Sequence, residues 1–127
     1  MSEEIRAAEQ GTGKRCVSRP KHLDCHTHSQ ELCRQAIRSL TYVEWSGDAT
    51  IEEGQLYSIG FHPWSLPLEA NQTALIDQMQ RRLASAPQIV AIGECGIDKV
   101  RSNATLSQQL VWLEAQMRLA CQLHRPI

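Results

Sequence analysis

The fold of this chain is decided by the stretch Ile89-Val90-Ala91-Ile92-Gly93-Glu94-Cys95-Gly96-Ile97-Asp98. Its first four residues form a continuous apolar run between turn signals, which is typical of a strand buried on both faces. A carboxylate, Glu94, follows that run and is flanked by two glycines, which allow close backbone approach and a sharp turn. Functional residues of parallel α/β barrels lie where strands end. Glu94 is therefore a candidate site residue, with capping of the next element as the alternative.

Around this stretch the pattern alternates between strand and helix. We expect strands over residues 23–27, 41–45 and 55–61, and helices over 30–40, 69–84 and from 106 to a stop at Arg125-Pro126. Thr105 begins the last helix with a capping-box pattern, and one face of that helix is predicted to carry Leu106, Leu110, Leu113, Met117 and Ala120.

This alternation predicts a parallel sheet with crossover helices. A complete eightfold barrel needs about 250 residues, and this chain has 127. We therefore expect an α/β protein with a truncated TIM-like (β/α) barrel, roughly the first half, in which outer helices cover parallel strands.

Composition limits how the chain could bind nucleic acid and argues against a membrane or secreted protein. The formal net charge is −1, so a nucleic-acid partner would have to be held by a local site rather than by a basic surface. Residues 1–20 are polar and without apolar period, and we expect a disordered tail there, with one domain over 21–127. No apolar run is long enough to cross a membrane, and no signal peptide is expected. Cysteines are odd in number and form no CxxC pair, which favours a reducing cytoplasm.

The first candidate ligands lie in Asp24-Cys25-His26-Thr27-His28. Side chains two apart on a strand share a face, so Asp24, His26 and His28 are expected to point the same way. Two imidazoles at this spacing can converge on one divalent ion, and Asp24 could orient one of them. The HxH pair alone is a weak signal, and surface or core histidines are the alternative.

A second candidate, His62, lies in Gly60-Phe61-His62-Pro63-Trp64, where another predicted strand ends. A lone histidine before proline is more often a turn residue than a ligand. The three motifs together support a functional site more strongly than each does alone. Each falls at the C-terminal end of a separate predicted parallel strand, and such ends meet at one rim of the sheet.

Taken together, residues 23–28, 58–64 and 91–99 resemble the motifs of the TatD-related deoxyribonuclease family, within the amidohydrolase-like barrel superfamily. The resemblance covers roughly residues 21–127. It implies that His26 and His28 bind one metal, that Glu94 bridges two metals, and that His62 lies near the substrate phosphate. It further implies hydrolysis of phosphodiester bonds of DNA, in which divalent ions would activate water. The metal is not identified, since histidine and glutamate ligands accept zinc, manganese and magnesium to differing degrees.

Several alternatives remain beside that interpretation. The family's further ligands, two histidines and a late aspartate, have no counterpart here, so the chain is expected to be weak or inactive alone. A non-catalytic remnant is the main alternative, with self-association through the exposed edge of the half barrel. A different hydrolase of the superfamily is disfavoured by residues 60–64 and 93–99. Trp45 and Trp64 are expected to pack rather than stack on a ligand.

Overall fold

The computed structural model describes residues 23–127, and the predicted tail over 1–20 lies outside them. The chain forms seven elements in this part. Their order is β1 (Asp24–Thr27), β2 (Ala36–Leu40), α1 (Tyr42–Ser46), β3 (Leu56–Ile59), α2 (Gln72–Ser85), β4 (Ile89–Ile92) and α3 (Leu106–Leu123).

All four strands belong to one sheet with the order β1-β2-β3-β4, and every neighbouring pair is parallel. In the central register Ser39 lies opposite Ser58, and Ser58 lies opposite Ala91. The C-terminal ends of all four strands therefore meet at the same edge. The expected α/β class with a parallel sheet is confirmed, and the next paragraphs report where single elements differ.

The expected helix over residues 30–40 was wrong at its C-terminal part, because Ala36–Leu40 is the strand β2. This strand lies inside the sheet and pairs with both β1 and β3. A short strand covered on two faces loses the alternation of polar and apolar residues, so periodicity cannot separate it from a buried helix segment. Its Ala36 and Leu40 are four apart, which also fits a helical stripe.

The expected strand over residues 41–45 was also wrong, because Tyr42–Ser46 is the short helix α1. Thr41 caps it: its backbone N–H donates to the Glu44 carboxylate at 2.7 Å, and the Glu44 N–H donates to the Thr41 hydroxyl at 3.4 Å. This reciprocal capping satisfies two donors at the helix start and outweighs the strand propensity of Tyr42 and Val43.

The core lies between the sheet and the helices α2 and α3, and it contains the aromatic residues Trp45, Tyr57, Phe61 and Trp112. Phe61 joins them, with ring centroids 5.2 Å from Trp45 and 4.8 Å from Trp112.

The buried face of α3 differs from the apolar stripe that the sequence pattern shows. Its buried residues are Gln109, Trp112, Gln116, Leu119 and Ala120. Of the residues that the pattern placed on one face, Ala120 is buried, whereas Leu106, Leu110 and Met117 are between 43% and 49% exposed.

Within residues 23–127, the helices are too short or too polar to cross a bilayer.

Candidate metal centre and adjoining cleft

The first two candidate ligands lie at the C-terminal end of β1. His26 belongs to the strand and His28 follows its last residue. Their rings lie edge to face with centroids 4.8 Å apart. Asp24 does not orient either ring as we expected, because its carboxylate accepts the backbone N–H of His26 at 3.1 Å. Asp24 thus holds the backbone that leads into the site and does not orient an imidazole ring.

Glu94 lies two residues beyond β4 and faces both histidines. Its Oε2 is 3.1 Å from the His28 Nε2, and its Oε1 is 3.5 Å from the His26 Nε2. One donor atom from each of the three residues falls within 4.8 Å of the others. The residues come from β1 and β4, the two edge strands of the sheet, so the cluster depends on the fold of the whole sheet.

This donor set fits a divalent ion. Donor atoms around a tetrahedral ion with bonds of about 2.0–2.2 Å are about 3.3–3.6 Å apart, and the two histidine–glutamate separations lie close to that range. Each side chain is partly exposed, at 46% for His26, 54% for His28 and 35% for Glu94. Three protein ligands with a solvent-accessible fourth position are the arrangement of catalytic rather than structural zinc sites.

His62 reaches the same centre from the end of β3. Its Nε2 lies 3.8 Å from the Glu94 Oε1, while its Nδ1 accepts the backbone N–H of Trp64 at 3.1 Å. A neutral imidazole that accepts at Nδ1 carries its proton on Nε2. The nitrogen of His62 that faces the centre is therefore a hydrogen-bond donor.

Glycines determine the path of the segment that carries Glu94. The sequence indicated the turn at these glycines but not the position of the close backbone contact. Gly93 and Gly96 have φ of 154° and 149°, which L side chains rarely adopt, and this agrees with the expected turn. The close backbone approach, however, is at Gly60. A Cβ there would lie 2.5 Å from the Glu94 carbonyl oxygen, whereas a Cβ at Gly93 or Gly96 would contact nothing within 4 Å.

Gly60→Ala is therefore expected to displace Glu94 and weaken metal binding. The added methyl meets backbone atoms of residues 93 and 94, which cannot rotate away as a flexible side chain would. Gly47→Ala is the matched control, because its methyl would lie 3.2 Å from the Val43 carbonyl oxygen and away from the centre. Zinc titration of both variants checks this. Equal affinity in Gly60→Ala and Gly47→Ala would contradict the close packing of β3 against the Glu94 segment.

A cleft of about 520 Å³ adjoins the centre and is lined by His26, His62, Glu94, Trp64 and Asp98, among others. Asp98 had no assignable role in the sequence, and here it organises the cleft wall. Its carboxylate accepts the Trp64 indole N–H at 2.6 Å and the backbone N–H groups of Val100 and Arg101 at 2.8 and 2.9 Å. The hydrogen bond from Arg101, followed by those from Val100 and Trp64, holds the pKa of Asp98 below its ordinary value.

Two buried glutamines of α3 hold the site loops, and sequence reasoning missed both. Gln116 accepts the Phe61 N–H at 2.8 Å, directly before His62, and Gln109 accepts the Asp98 N–H at 2.8 Å. Both side chains are at most 2% exposed. Polar residues seven apart on one face of an otherwise apolar helix were the signal that could have found them, since buried amides must be hydrogen-bonded.

The rim of this parallel sheet brings together two histidines from the end of β1 and a carboxylate from beyond β4. This arrangement in an α/β protein is typical of metal-dependent hydrolases. The sequence model of the family described as "TatD related DNase" matches residues 2–127. The chain belongs to that TatD-related family.

Individual relatives are consistent with this assignment. The protein named 3'-5' ssDNA/RNA exonuclease TatD from Erwinia billingiae is 38% identical over 80 residues, which are 62% of this chain and 30% of that protein. Its counterpart from Erwinia tasmaniensis is 41% identical over 68 residues, or 54% of this chain and 25% of that protein. The matched segments thus span less than a third of these relatives.

A solved structure shares the fold. The crystal structure of YjjV, a TatD homologue from Escherichia coli K12, superposes with a TM-score of 0.59 at 23% identity. The match covers 83% of this chain and 48% of that one. The chain therefore corresponds to about half of the YjjV fold.

Proposed function

We propose that the site serves metal-dependent hydrolysis of phosphodiester bonds in DNA or another nucleic acid. The observation that carries this proposal is the convergence of His26, His28 and Glu94 beside His62 at one rim of a parallel sheet, with donor separations that suit one divalent ion. The family and the names of the relatives support the same chemistry.

The three residues would hold the ion by two neutral imidazole nitrogens and one carboxylate oxygen. Such a mixed donor set accepts zinc, manganese and magnesium to differing degrees. A divalent ion held there would supply Lewis-acid polarisation of a phosphoryl oxygen. Around it, Asp24 holds the His26 backbone, while Gly60 sets the position of the Glu94 segment.

His62 is proposed to bind substrate rather than metal. Because its Nδ1 is engaged by the Trp64 N–H, its Nε2 offers a proton towards the centre. A donor beside a candidate cation site suits a phosphate oxygen, and hydrogen bonds to charged groups contribute about 1.5–3 kcal/mol. The residue would orient the phosphodiester and leave the ion to the other three.

Phosphate affinity of the zinc-loaded chain tests this division of roles. We expect His62→Ala to weaken binding of inorganic phosphate by roughly 10- to 150-fold, the equivalent of that hydrogen-bond energy, with zinc affinity unchanged. His124→Asn is the control, because His124 ends α3 in a left-handed conformation that asparagine also tolerates. Loss of zinc affinity in His62→Ala, or unchanged phosphate affinity, would show that the assignment is wrong.

A non-catalytic interaction role is the second candidate, and exposed apolar surface favours it. Leu106, Leu110 and Met117 form an exposed stripe on α3. The β4 edge is partly engaged, because the Ile92 N–H donates to the Pro126 carbonyl at 3.0 Å. We therefore propose that the chain associates with a second copy of itself mainly through the α3 stripe. A cytoplasmic location stays a prediction from the cysteine pattern.

Sedimentation over a concentration series checks the self-association. The chain is expected to form dimers that Leu110→Gln combined with Met117→Gln converts to monomers, since the double change removes apolar surface that association would bury. Arg118→Gln on the same helix should leave the dimers intact. A single monomeric species throughout the series would contradict the proposal.

A further inference from the structure

Trp64 differs from the other two tryptophans of the chain. Trp45 and Trp112 are 1% and 5% exposed and belong to the core, whereas Trp64 is 48% exposed. It lines the cleft beside Glu94 and also a second cleft of about 250 Å³ that reaches His28. The expectation that Trp45 packs fits the structure, but Trp64 stands at the open rim of the candidate centre.

The indole of Trp64 is held in a fixed orientation although it is exposed. Its N–H donates to Asp98 at 2.6 Å, and the His62 ring lies against it with centroids 4.9 Å apart. The Arg101 guanidinium lies over the ring, 5.0 Å from its centroid. A solvent-exposed aromatic ring that is tethered on three sides is pre-organised for stacking, which lowers the entropy cost of binding.

Arg101 supplies a positive charge beside the cleft, because it lies over Trp64, and the cleft lining includes the carboxylates of Glu94 and Asp98. Its guanidinium forms no salt bridge with any residue in 23–127. Asp98 accepts the Trp64 indole N–H and the backbone N–H groups of Val100 and Arg101, and the Arg101 guanidinium acts on its carboxylate only from beyond salt-bridge distance. An arginine held over an aromatic ring by a cation–π contact can still donate from its guanidinium N–H groups to a phosphate.

We propose that Trp64 and Arg101 form a subsite for one unpaired nucleotide, in which the base stacks on the indole and Arg101 donates to a phosphate. This subsite rests on the proposed function, because its place next to His62 and Glu94 would put the neighbouring phosphodiester at the candidate metal centre. A base in a duplex cannot offer its face to the indole. Stacking on the indole is tolerant of sequence, because every base has a π-face.

Intrinsic fluorescence of the full chain in EDTA tests the subsite without involving a metal. Trp64 is the one exposed tryptophan of the three, so quenching by oligothymidylate reports on it. We expect saturable quenching in the parent chain. Trp64→Leu should weaken oligothymidylate binding, measured by anisotropy of a labelled oligomer, by roughly 5- to 150-fold, which corresponds to the ~1–3 kcal/mol of stacking per base.

Ligand and variant controls separate stacking from charge. An abasic oligomer with the same phosphates should bind Trp64→Leu and the parent chain equally, and Trp64→Phe should restore most of the oligothymidylate affinity. Arg101→Gln should weaken both oligomers alike and reduce the salt dependence of binding. Arg118→Gln, which removes a charge that is paired with Glu114 on α3, should change neither.

The outcomes are distinguishable from those of the proposed function. Unchanged zinc affinity in Trp64→Leu, together with its loss of base-dependent binding, supports the subsite. Equal loss of both oligomers in Trp64→Leu, or no binding by the parent, overturns the subsite even where zinc binds and hydrolysis occurs. Failure of the parent to bind zinc overturns the metal centre alone, because the oligomer measurements contain EDTA.

Discussion

Nuclease activity of the 127-residue chain is expected to lie near background, even with saturating manganese or magnesium. Two-ion phosphoryl transfer needs ions about 3.5–4 Å apart to hold the attacking and leaving oxygens. Among the described residues, one three-donor group is available, formed by His26, His28 and Glu94. A positioned general base is typically worth 10²–10⁴-fold, and Asp98, which lines the cleft together with Glu94, is already engaged by three N–H donors.

An assay of nucleotide release from single-stranded DNA, with the Glu94→Gln variant as a control, measures this nuclease activity. The expected result is equally low release by both proteins. Robust, metal-dependent release that disappears in Glu94→Gln would contradict the prediction. It would mean that a second copy of the chain completes the site, and the sedimentation series above would then show dimers that are required for activity.

Glu94→Gln and the double change His26→Ala with His28→Ala are expected to lower zinc affinity by more than about 100-fold. Removing a residue that merely supports a ligand already costs about 10–100-fold, and these changes remove the donors themselves. The parent should bind one ion per chain, weakly, because three protein ligands leave the fourth position to water. Calorimetric titration gives both stoichiometry and affinity.

The control for charge is Glu114→Gln. Glu114 is exposed on α3 and accepts a hydrogen bond from Arg118 at 2.6 Å, so this substitution removes a carboxylate of the same sign away from the centre. Its zinc affinity should equal that of the parent. If the double histidine variant also binds zinc like the parent, the assigned ligands are wrong.

Much of this arrangement was predictable from local patterns. The strand β4 was expected over Ile89–Ile92, and it is found there, because a four-residue apolar run between turns has the length of a strand and is too short for a buried helix. The capping box at Thr105 likewise marked the start of α3. The meeting of His26, His62 and Glu94 followed from the parallel topology alone, since each residue stands at or just beyond the end of its strand.

The sequence-based predictions failed where tertiary contacts decide the structure. Residues 36–40 were predicted to be helical because β2, a strand of a parallel sheet, lacks the alternation of polar and apolar residues that marks a half-exposed strand. The buried face of α3 does not follow its apolar stripe, because its buried glutamines accept hydrogen bonds from the Phe61 and Asp98 backbone N–H groups. The role of Asp98 was invisible for the same reason, because its partner Trp64 lies 34 positions away along the chain.

The central claim is that His26, His28 and Glu94 together hold one divalent ion. Anomalous diffraction at the zinc absorption edge, from crystals of the zinc-loaded chain, tests it most directly. The account predicts one strong peak within about 2.0–2.2 Å of the Nε2 atoms of both histidines and of a Glu94 carboxylate oxygen. A peak at the cysteines alone, or at His62 without the other three residues, would contradict it.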